Sequence, residues 1–586
     1  MATIFRTGSG GGPGVLVTLN AGDDFILADG AQIYSDDDSV IEGTGSNNIF
    51  LSPNSGVIGF SPINSAAAVR FGTTSGGSNL FVAENASIWS PGIAVFAENG
   101  FSTVTNGGII SGLSSGIEMQ GSFNGVVNTG DILSASSIGV RVWANGTIEN
   151  SGTISGTSFG AVTRDGHGEI INSGTISGET AIFMEGDNTG PSSKLKNSGT
   201  ISGDRSGVFV STDSIEIVNT GTISAAAEAI ELAVSNSVLL STLDNSGTIT
   251  ASGNAYSGTN GVDQIHNSGN IHGNVRTFNG VDTINSSGQI LGDVDLGDGE
   301  DVYRLTGTGQ TSGVVTAGAG DDVVQGGMYE DYINGGDGED RMRGQGGDDS
   351  LTGGGQIDTI WGGSGDDTVR GDGGSDLLFG DGGSDLIDGG NGRDKIYGAS
   401  GDDTLIGGGS DDLLSAGSGD DSLRGGSNND TLKGGSGDDT LEGGSGVDLL
   451  QGGSEDDLLL GEDSADVLQG GRGADTLNGG ADADVLSGGQ DADVFEFLSS
   501  SDTSIGAEDV ITDFSQGLDH IDLSALALDF VGTDAFSGGG QASVRFVRVN
   551  ADDQTEIRID ANGDGLIDAQ IDLTGAMTLI AGDFIL

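Results

Sequence analysis

The sequence predicts an all-β chain: an N-terminal parallel β-helix solenoid running into a parallel β-roll, then a small C-terminal β domain. Three observations predict this. A motif recurs about every 22 residues between Asn106 and Asn267. A tighter motif recurs every nine residues from Ala317 to Phe495, and its register never slips. Gly, Thr and Val are dense throughout and no 3.6-residue period runs through them, so helices are a poor reading. The expected organisation is a cap with early coils at 1–100, the β-helix at 101–290, the β-roll at 291–495 and the C-terminal domain at 496–586.

Residues 1–100 are rich in Gly, Ser and Asn, with short apolar runs such as Val15-Leu16-Val17 and Phe25-Ile26-Leu27. Turn residues separate these runs, as between short strands. A weak echo of the later repeat stands at Asn54-Ser55-Gly56-Val57-Ile58. The opening Met1-Ala2-Thr3-Ile4-Phe5-Arg6 lacks the long apolar core of a cleaved signal peptide. No run of about 18 apolar residues, the length of a membrane-spanning helix, occurs in the chain.

The 22-residue repeat is plain from residue 101. Asn106, Asn128, Asn150 and Asn172 are 22 apart, and Asn197, Asn219, Asn245 and Asn267 follow at intervals of 25, 22, 26 and 22. Four residues after each comes an isoleucine: Ile110, Ile132, Ile154, Ile176, Ile201, Ile223, Ile249 and Ile271. Two more short apolar segments lie between successive motifs. Three short strands per 22 residues describe one coil of a parallel β-helix. The isoleucines then stack inward, and the asparagines stack in a turn as an amide ladder. Insertions, as at Asp187-Asn188-Thr189-Gly190-Pro191, should bulge outward.

Asp263, Asp282 and Asp301 are 19 apart, each opening an Asp-x-apolar triplet. The coil is therefore expected to shorten from 22 towards 18 residues and to pass into the β-roll with little or no linker. A protease-sensitive hinge between 290 and 317 would refute that.

The nine-residue run carries twenty aspartates in one phase: Asp322, Asp331, Asp340, Asp349, Asp358, Asp367, Asp376, Asp385, Asp394, Asp403, Asp412, Asp421, Asp430, Asp439, Asp448, Asp457, Asp466, Asp475, Asp484 and Asp493. An apolar side chain follows each by two residues, and a glycine pair usually precedes it, as in Gly434-Gly435-Ser436-Gly437-Asp438-Asp439-Thr440-Leu441-Glu442. Each unit reads as a glycine turn and a short strand with one inward side chain. Two units make an 18-residue coil, so aspartates 18 apart share an edge and form two columns of ten. Neighbours in a column sit about 4.8 Å apart, where two bare charges repel by about 1 kcal/mol in water and by more where water is excluded. A hard divalent cation between successive turns removes this repulsion. Carboxylate oxygens with turn carbonyls are the ligand set calcium prefers.

The fourth position of a unit is usually Gly, but it is Tyr329, Gln356 and Glu455 in three units and Asn428, Asp482 and Asp491 in others. If the turn needs positive φ, a bulky side chain there is costly, whereas Asn and Asp tolerate it better. Weak or absent ions are expected beside Tyr329 and Gln356.

The nonapeptide Gly-Gly-x-Gly-x-Asp-x-apolar-x resembles the repeats-in-toxin (RTX) family. The order Asp493-Val494-Phe495-Glu496-Phe497, Asp509-Val510-Ile511-Thr512-Asp513-Phe514 and Gly517-Leu518-Asp519-His520-Ile521-Asp522 resembles the C-terminal domain of serralysin-type secreted proteins. The final Asp583-Phe584-Ile585-Leu586 resembles the uncleaved export signal of type I secretion substrates. These resemblances imply calcium as cofactor, the type I secretion machinery as partner and an extracellular location. A further oxygen-rich stretch, Asp560, Asn562, Asp564 and Asp568 with Gly565, looks like a shortened EF-hand-type loop. An ordinary Asn-Gly/Asp-Gly hairpin turn is the competing reading.

Composition narrows the function. The formal charge is −67, from 87 acidic and 20 basic residues, which excludes a general nucleic-acid or anionic-membrane binder. Cysteine is absent, so there is no disulfide framework and no thiolate site. No His-Glu-x-x-His motif occurs. Gly-x-Ser-x-Gly matches at 112–116 and 156–160 are expected by chance in so glycine-rich a chain and lack a strand–helix elbow. No catalytic residues are assigned. The chain reads as a calcium-binding protein whose β-helix passenger has a structural or adhesive role, with itself or cell-surface polysaccharide as partner. The alternative is a polysaccharide lyase or epimerase, for which Arg141, Arg164 and His167 would have to converge in a groove.

Overall fold

A computed structural model describes residues 78–98, 102–186, 192–212, 214–233, 240–536, 540–549 and 554–586, together with short strands between Thr3 and Phe71. The insertion at 187–191, Val15-Leu16 and Asn54-Ser55 lie outside the described residues. The chain divides into two units, Met1–Ala317 and Gly318–Leu586. No α-helix occurs among the described residues, and two single-turn 3₁₀ segments stand at Ser524–Leu526 and Ala581–Asp583.

In the first unit each coil contributes three parallel strands, as Thr147–Asn150, Thr153–Gly156 and Phe159–Arg164 do. Successive coils pair in register: Asn128 lies opposite Asn150, and Asn150 opposite Asn172. Ile132, Ile154 and Ile176 likewise lie opposite one another. All eight predicted isoleucines are fully buried. A second inward stack begins well before the legible repeat, with Phe25, Ile49, Leu80 and Val104 opposite one another and fully buried. The coils shorten as expected, with Ile265 opposite Ile284 and Ile284 opposite Tyr303, a step of 19 residues.

The asparagine ladder is continuous. The Asn106 amide donates to Asn128 Oδ1 at 2.8 Å, and the same contact repeats through Asn150, Asn172, Asn197, Asn219, Asn245 and Asn267 at 2.7–2.8 Å. Ser286 ends it, accepting from Asn267 at 3.0 Å. An amide carries both donors and acceptors, so a buried column of them satisfies itself.

In the second unit the coil is two six-residue strands, such as Ser422–Ser427 and Thr431–Ser436. Rungs pair 18 residues apart, with Leu432 opposite Leu450 and Leu423 opposite Leu441. One apolar side chain per strand fills the interior, and these are essentially fully buried. The solenoid runs on past the last nonapeptide. Leu486 pairs with Ile511 and Phe495 with Ile521. Ile511 then lies opposite Leu573, and Ile521 opposite Phe584. An antiparallel meander, Ser543–Val549, Gln554–Asp560 and Ala569–Thr574, completes the unit. The last residues are thus a strand of the roll. Asp583 and Phe584 are buried, and Asp583 accepts main-chain N–H bonds from Gly517 and Ile580 at 3.2 and 2.7 Å.

Candidate metal-binding columns

The turns place every in-phase aspartate identically. Its main-chain N–H donates to Oδ1 of the aspartate one coil later: Asp340 to Asp358 at 2.8 Å, Asp430 to Asp448 at 2.7 Å, Asp475 to Asp493 at 3.0 Å. The twenty side chains are buried, none more than 4% exposed. Oδ2 is left over. From Asp340 to Asp493 all eighteen aspartates carry a buried Oδ2 with no hydrogen-bond partner. A buried polar atom without a partner costs about 1–3 kcal/mol, and more when charged.

The surroundings of that oxygen show what it can hold. It faces the first glycine of its own unit. A Cβ built on Gly434 would lie 2.2 Å from Asp439 Oδ2 and 2.8 Å from the Gly452 carbonyl of the next coil. The same holds at Gly371, where the contacts are 2.3 Å to Asp376 Oδ2 and 2.6 Å to the Gly389 carbonyl. Glycine keeps the carboxylate oxygen and the carbonyl of the adjacent coil around one space. No group of three or more His, Asp or Glu side chains with metal-holding geometry occurs among the described residues. A cation here draws on main-chain carbonyls, as a hard oxygen-seeking ion does.

Electrostatics agree with the geometry. Burial pushes the Asp466 carboxyl up to about 8, with the neighbouring Asp448 and Asp484 adding to the effect. Burial likewise raises Asp412 to about 7 and Asp421 to about 6. The main-chain N–H bond from the preceding coil works the other way in each case. The columns therefore resist full ionisation at neutral pH unless a positive charge lies between their turns.

The fourth position of the unit divides differently from the expectation. Gln356 and Glu455 adopt φ of 81° and 85°, alongside Asn428 at 78°, Asp482 at 82° and Asp491 at 80°. Gln356 therefore keeps the standard turn, and Asp358 keeps its unpartnered Oδ2. Tyr329 does not enter the left-handed region. Beside it the strand Val323–Gln325 has three residues instead of six, and the Gly327 N–H donates to Asp331 Oδ2 at 2.6 Å. Of the two positions expected to be weak, only Tyr329 has altered geometry.

Five further aspartates join these columns and were not recognised as members from the spacing. Asp484 donates to Asp509 Oδ1 at 2.9 Å and Asp493 to Asp519 Oδ1 at 3.2 Å. Within the first unit, Asp263 donates to Asp282 and Asp282 to Asp301, both at 2.7 Å. The shared signal is the Asp-x-apolar triplet, as in Asp509-Val510-Ile511 and Asp519-His520-Ile521. Steps of 25, 26 and 19 residues in place of 18 conceal it.

The loop 560–568 connects two antiparallel strands, Gln554–Asp560 and Ala569–Thr574. Asp560 accepts main-chain N–H bonds from Gly563 at 2.7 Å, Asp564 at 3.1 Å and Gly565 at 2.8 Å. Asp568 accepts from Ala561 at 2.8 Å and Asn562 at 3.1 Å, and Asp564 accepts from Leu566 at 2.8 Å. A calcium loop and a metal-free hairpin turn share these contacts.

The candidate catalytic side chains are tied to neighbours. Arg141 pairs with Glu118 at 3.6 Å and lies over the Trp143 ring. Arg164 pairs with Glu185 at 2.9 Å and lies over Phe183. The His167 main-chain N–H donates to Asn145 Oδ1 at 2.9 Å.

Comparison with known families matches residues 316–351 to the RTX calcium-binding nonapeptide repeat and residues 340–586 to the peptidase M10 serralysin C terminal. No curated protein matches the chain. Among solved structures, the chain is similar to the solution structure of the AlgE6R3 subunit from the Azotobacter vinelandii mannuronan C5-epimerase. Identity is 28% over 28% of this chain and 80% of that one, with a TM-score of 0.20. The AlgE6R2 subunit of the same enzyme gives 28% identity over 23% and 91%, with a TM-score of 0.18. TM-scores of this size carry no inference about fold or activity.

Proposed function

The chain is an RTX protein with a serralysin-like C terminus, and from that premise we propose that it is exported by a type I system and that calcium folds its second unit outside the cell. The ions are held by the two columns from Asp322 to Asp493. The observation that carries this reading is the run of buried, unpartnered Oδ2 atoms, each facing a turn glycine and a carbonyl of the next coil. Calcium supplies two positive charges per site and so removes both the repulsion and the desolvation penalty. Where calcium is scarce, as in a cytosol, the columns repel and the unit stays extended, which suits passage through a channel. Extracellular calcium modules bind with dissociation constants of about 10⁻⁴–10⁻³ M, and the binding free energy becomes folding free energy. The loop with Asp560, Asn562, Asp564 and Asp568 is a further calcium candidate.

The β-helix is the passenger, with a structural or adhesive role at the cell surface or in a matrix. Its partners are proposed to be other copies of the chain or cell-surface polysaccharide. The ion pairs that engage Arg141 and Arg164 support this over an enzymatic groove. Calcium titration followed by circular dichroism, with electron microscopy of the product, tests the reading. A cooperative gain of β signal near millimolar calcium, with ordered sheets or fibres, is expected. Monodisperse particles that turn over a uronate polysaccharide would replace it with the lyase or epimerase reading.

A further inference from the structure

The columns do not all end alike, and their ends show where the metal stops. Three aspartates fill the spare oxygen from within the chain, each with the N–H of the residue four positions earlier. Gly327 donates to Asp331 Oδ2 at 2.6 Å, Ser515 to Asp519 Oδ2 at 2.6 Å, and Thr259 to Asp263 Oδ2 at 2.9 Å. Asp331 and Asp519 are the first and last members of one column of the second unit. Asp263 heads the short column of the first unit, where the Tyr256 hydroxyl also takes its Oδ1 at 2.9 Å. These termini are closed without a cation.

Asp509, the last member of the other column, is not closed. It is fully buried, its Oδ1 accepts the Asp484 N–H, and its Oδ2 has no partner. The nearest hydroxyl does not supply one. Thr503 gives its proton to the Gln570 carbonyl and accepts the N–H of Asp509 itself at 3.1 Å. Asp502 and Asp484 both add negative potential there. A buried carboxylate oxygen with two further carboxylates nearby and no donor calls for a positive charge.

We propose that Asp509 holds a divalent cation of the calcium class at a site beyond the nonapeptide repeats, while Asp331 and Asp519 hold none. This rests on the calcium reading of the columns and extends it. The strand Asp509–Ile511 pairs on one side with Val485 and Leu486 and on the other with Ile571–Leu573. An ion at Asp509 therefore pins the strand that joins the repeats to the antiparallel meander. It couples calcium in the array to folding of the C-terminal segment.

Native mass spectrometry of the calcium-loaded full chain tests this by counting ions in Asp509→Asn, Asp519→Asn and Asp430→Asn. Asparagine retains Oδ1 as acceptor in each. Asp509→Asn should carry one calcium fewer than the wild type, and amide exchange in Ala569–Thr574 should rise in calcium. Asp519→Asn should keep the full count, and Asp430→Asn should lose at least one ion. An unchanged count in Asp509→Asn with a loss in Asp430→Asn overturns the Asp509 site and leaves the columns standing. A loss in Asp519→Asn equal to that in Asp509→Asn overturns the rule that an N–H cap excludes the cation. Unchanged counts in all three overturn the calcium columns themselves. If Asp509→Asn leaves the C-terminal strands unfolded, anomalous scattering from calcium-loaded wild-type crystals decides. A peak about 2.3–2.6 Å from Asp509 Oδ2 supports the site, and a water or N–H there overturns it.

Discussion

Two solenoids in one chain stack their polar turns by different chemistry. In the first unit the stacked residue is asparagine, and each side chain both gives and takes a hydrogen bond with its neighbours at 2.7–2.8 Å. In the second it is aspartate, which when ionised only accepts. One of its oxygens takes the main-chain N–H of the preceding coil, and the other is stranded in the interior. The interiors differ as well. A β-helix coil contributes three strands to the core, whereas the β-roll contributes two, with one inward apolar residue each. The first unit is complete as a covalent chain, and the second is complete only with cations. A one-atom change in the stacked side chain, NH₂ to O, separates a permanent solenoid from a conditional one.

Acidification of the chelated protein gives the largest contrast. Column carboxyls in the fold titrate at about 6 to 8, as Asp421, Asp412 and Asp466 do, above the ordinary value of 3.8. Between those values the folded state holds protons that the unfolded chain has released. Stability of the metal-free second unit is therefore highest near pH 4 and falls as pH rises through 6 to 8. In chelator, lowering the pH from 8 to 5 should restore β signal in the second unit and leave the first unchanged. With calcium present the trend reverses, because protons compete with the ion for Oδ2. Circular dichroism across pH, with and without chelator, checks both signs.

Core truncations sharpen the comparison next. Ile176→Ala should cost the first unit about 2–5 kcal/mol, equally in calcium and in chelator. Leu432→Ala should cost a similar amount in calcium and nothing measurable in chelator, where its site is already unfolded. Thermal denaturation of the two variants under both conditions reads the difference.

Replacing one rung of the amide ladder by its acidic counterpart tests the chemistry directly. Asn172→Asp removes the donor that reaches Asn197 Oδ1, the Gly174 carbonyl and the Thr200 carbonyl. About 1–3 kcal/mol should be lost for unpaired partners, with no rescue by calcium. Rescue by calcium would show that carboxylates at this turn can recruit the ion without the glycine cradle.

The smallest effect concerns the fourth position of the repeat. Gln356 sits at φ 81° without a glycine's freedom, so Gln356→Gly should stabilise the calcium form by about 1 kcal/mol. Tyr329→Gly should let the distorted turn adopt the standard form and free Asp331 Oδ2, which adds one calcium by mass.

The sequence made the two periods, the inward isoleucines and the asparagine ladder legible, because each depends on strict in-phase spacing. Asp509 and Asp519 were hidden because their coils are lengthened to 25 and 26 residues, which breaks the phase while leaving the Asp-x-apolar triplet intact. The caps at Asp331 and Asp519 were hidden for another reason. They are main-chain N–H bonds, and they follow from the path of the turn rather than from residue type. The difference between Tyr329 and Gln356 is of the same kind, since both are poor left-handed residues and only one turn yields. The pairing of Phe584 with Ile521 joins residues 63 apart in sequence, with no periodicity to announce it.

The central claim is that the first unit folds by itself and the second only around cations. Hydrogen exchange of the full chain in excess calcium and in excess chelator measures it strand by strand. The account predicts protection throughout in calcium. In chelator near pH 7.5 it predicts retained protection at Thr147–Asn150 and Thr153–Gly156 and lost protection at Thr431–Ser436 and Thr440–Ser445. Equal protection of all four strands in chelator would contradict it.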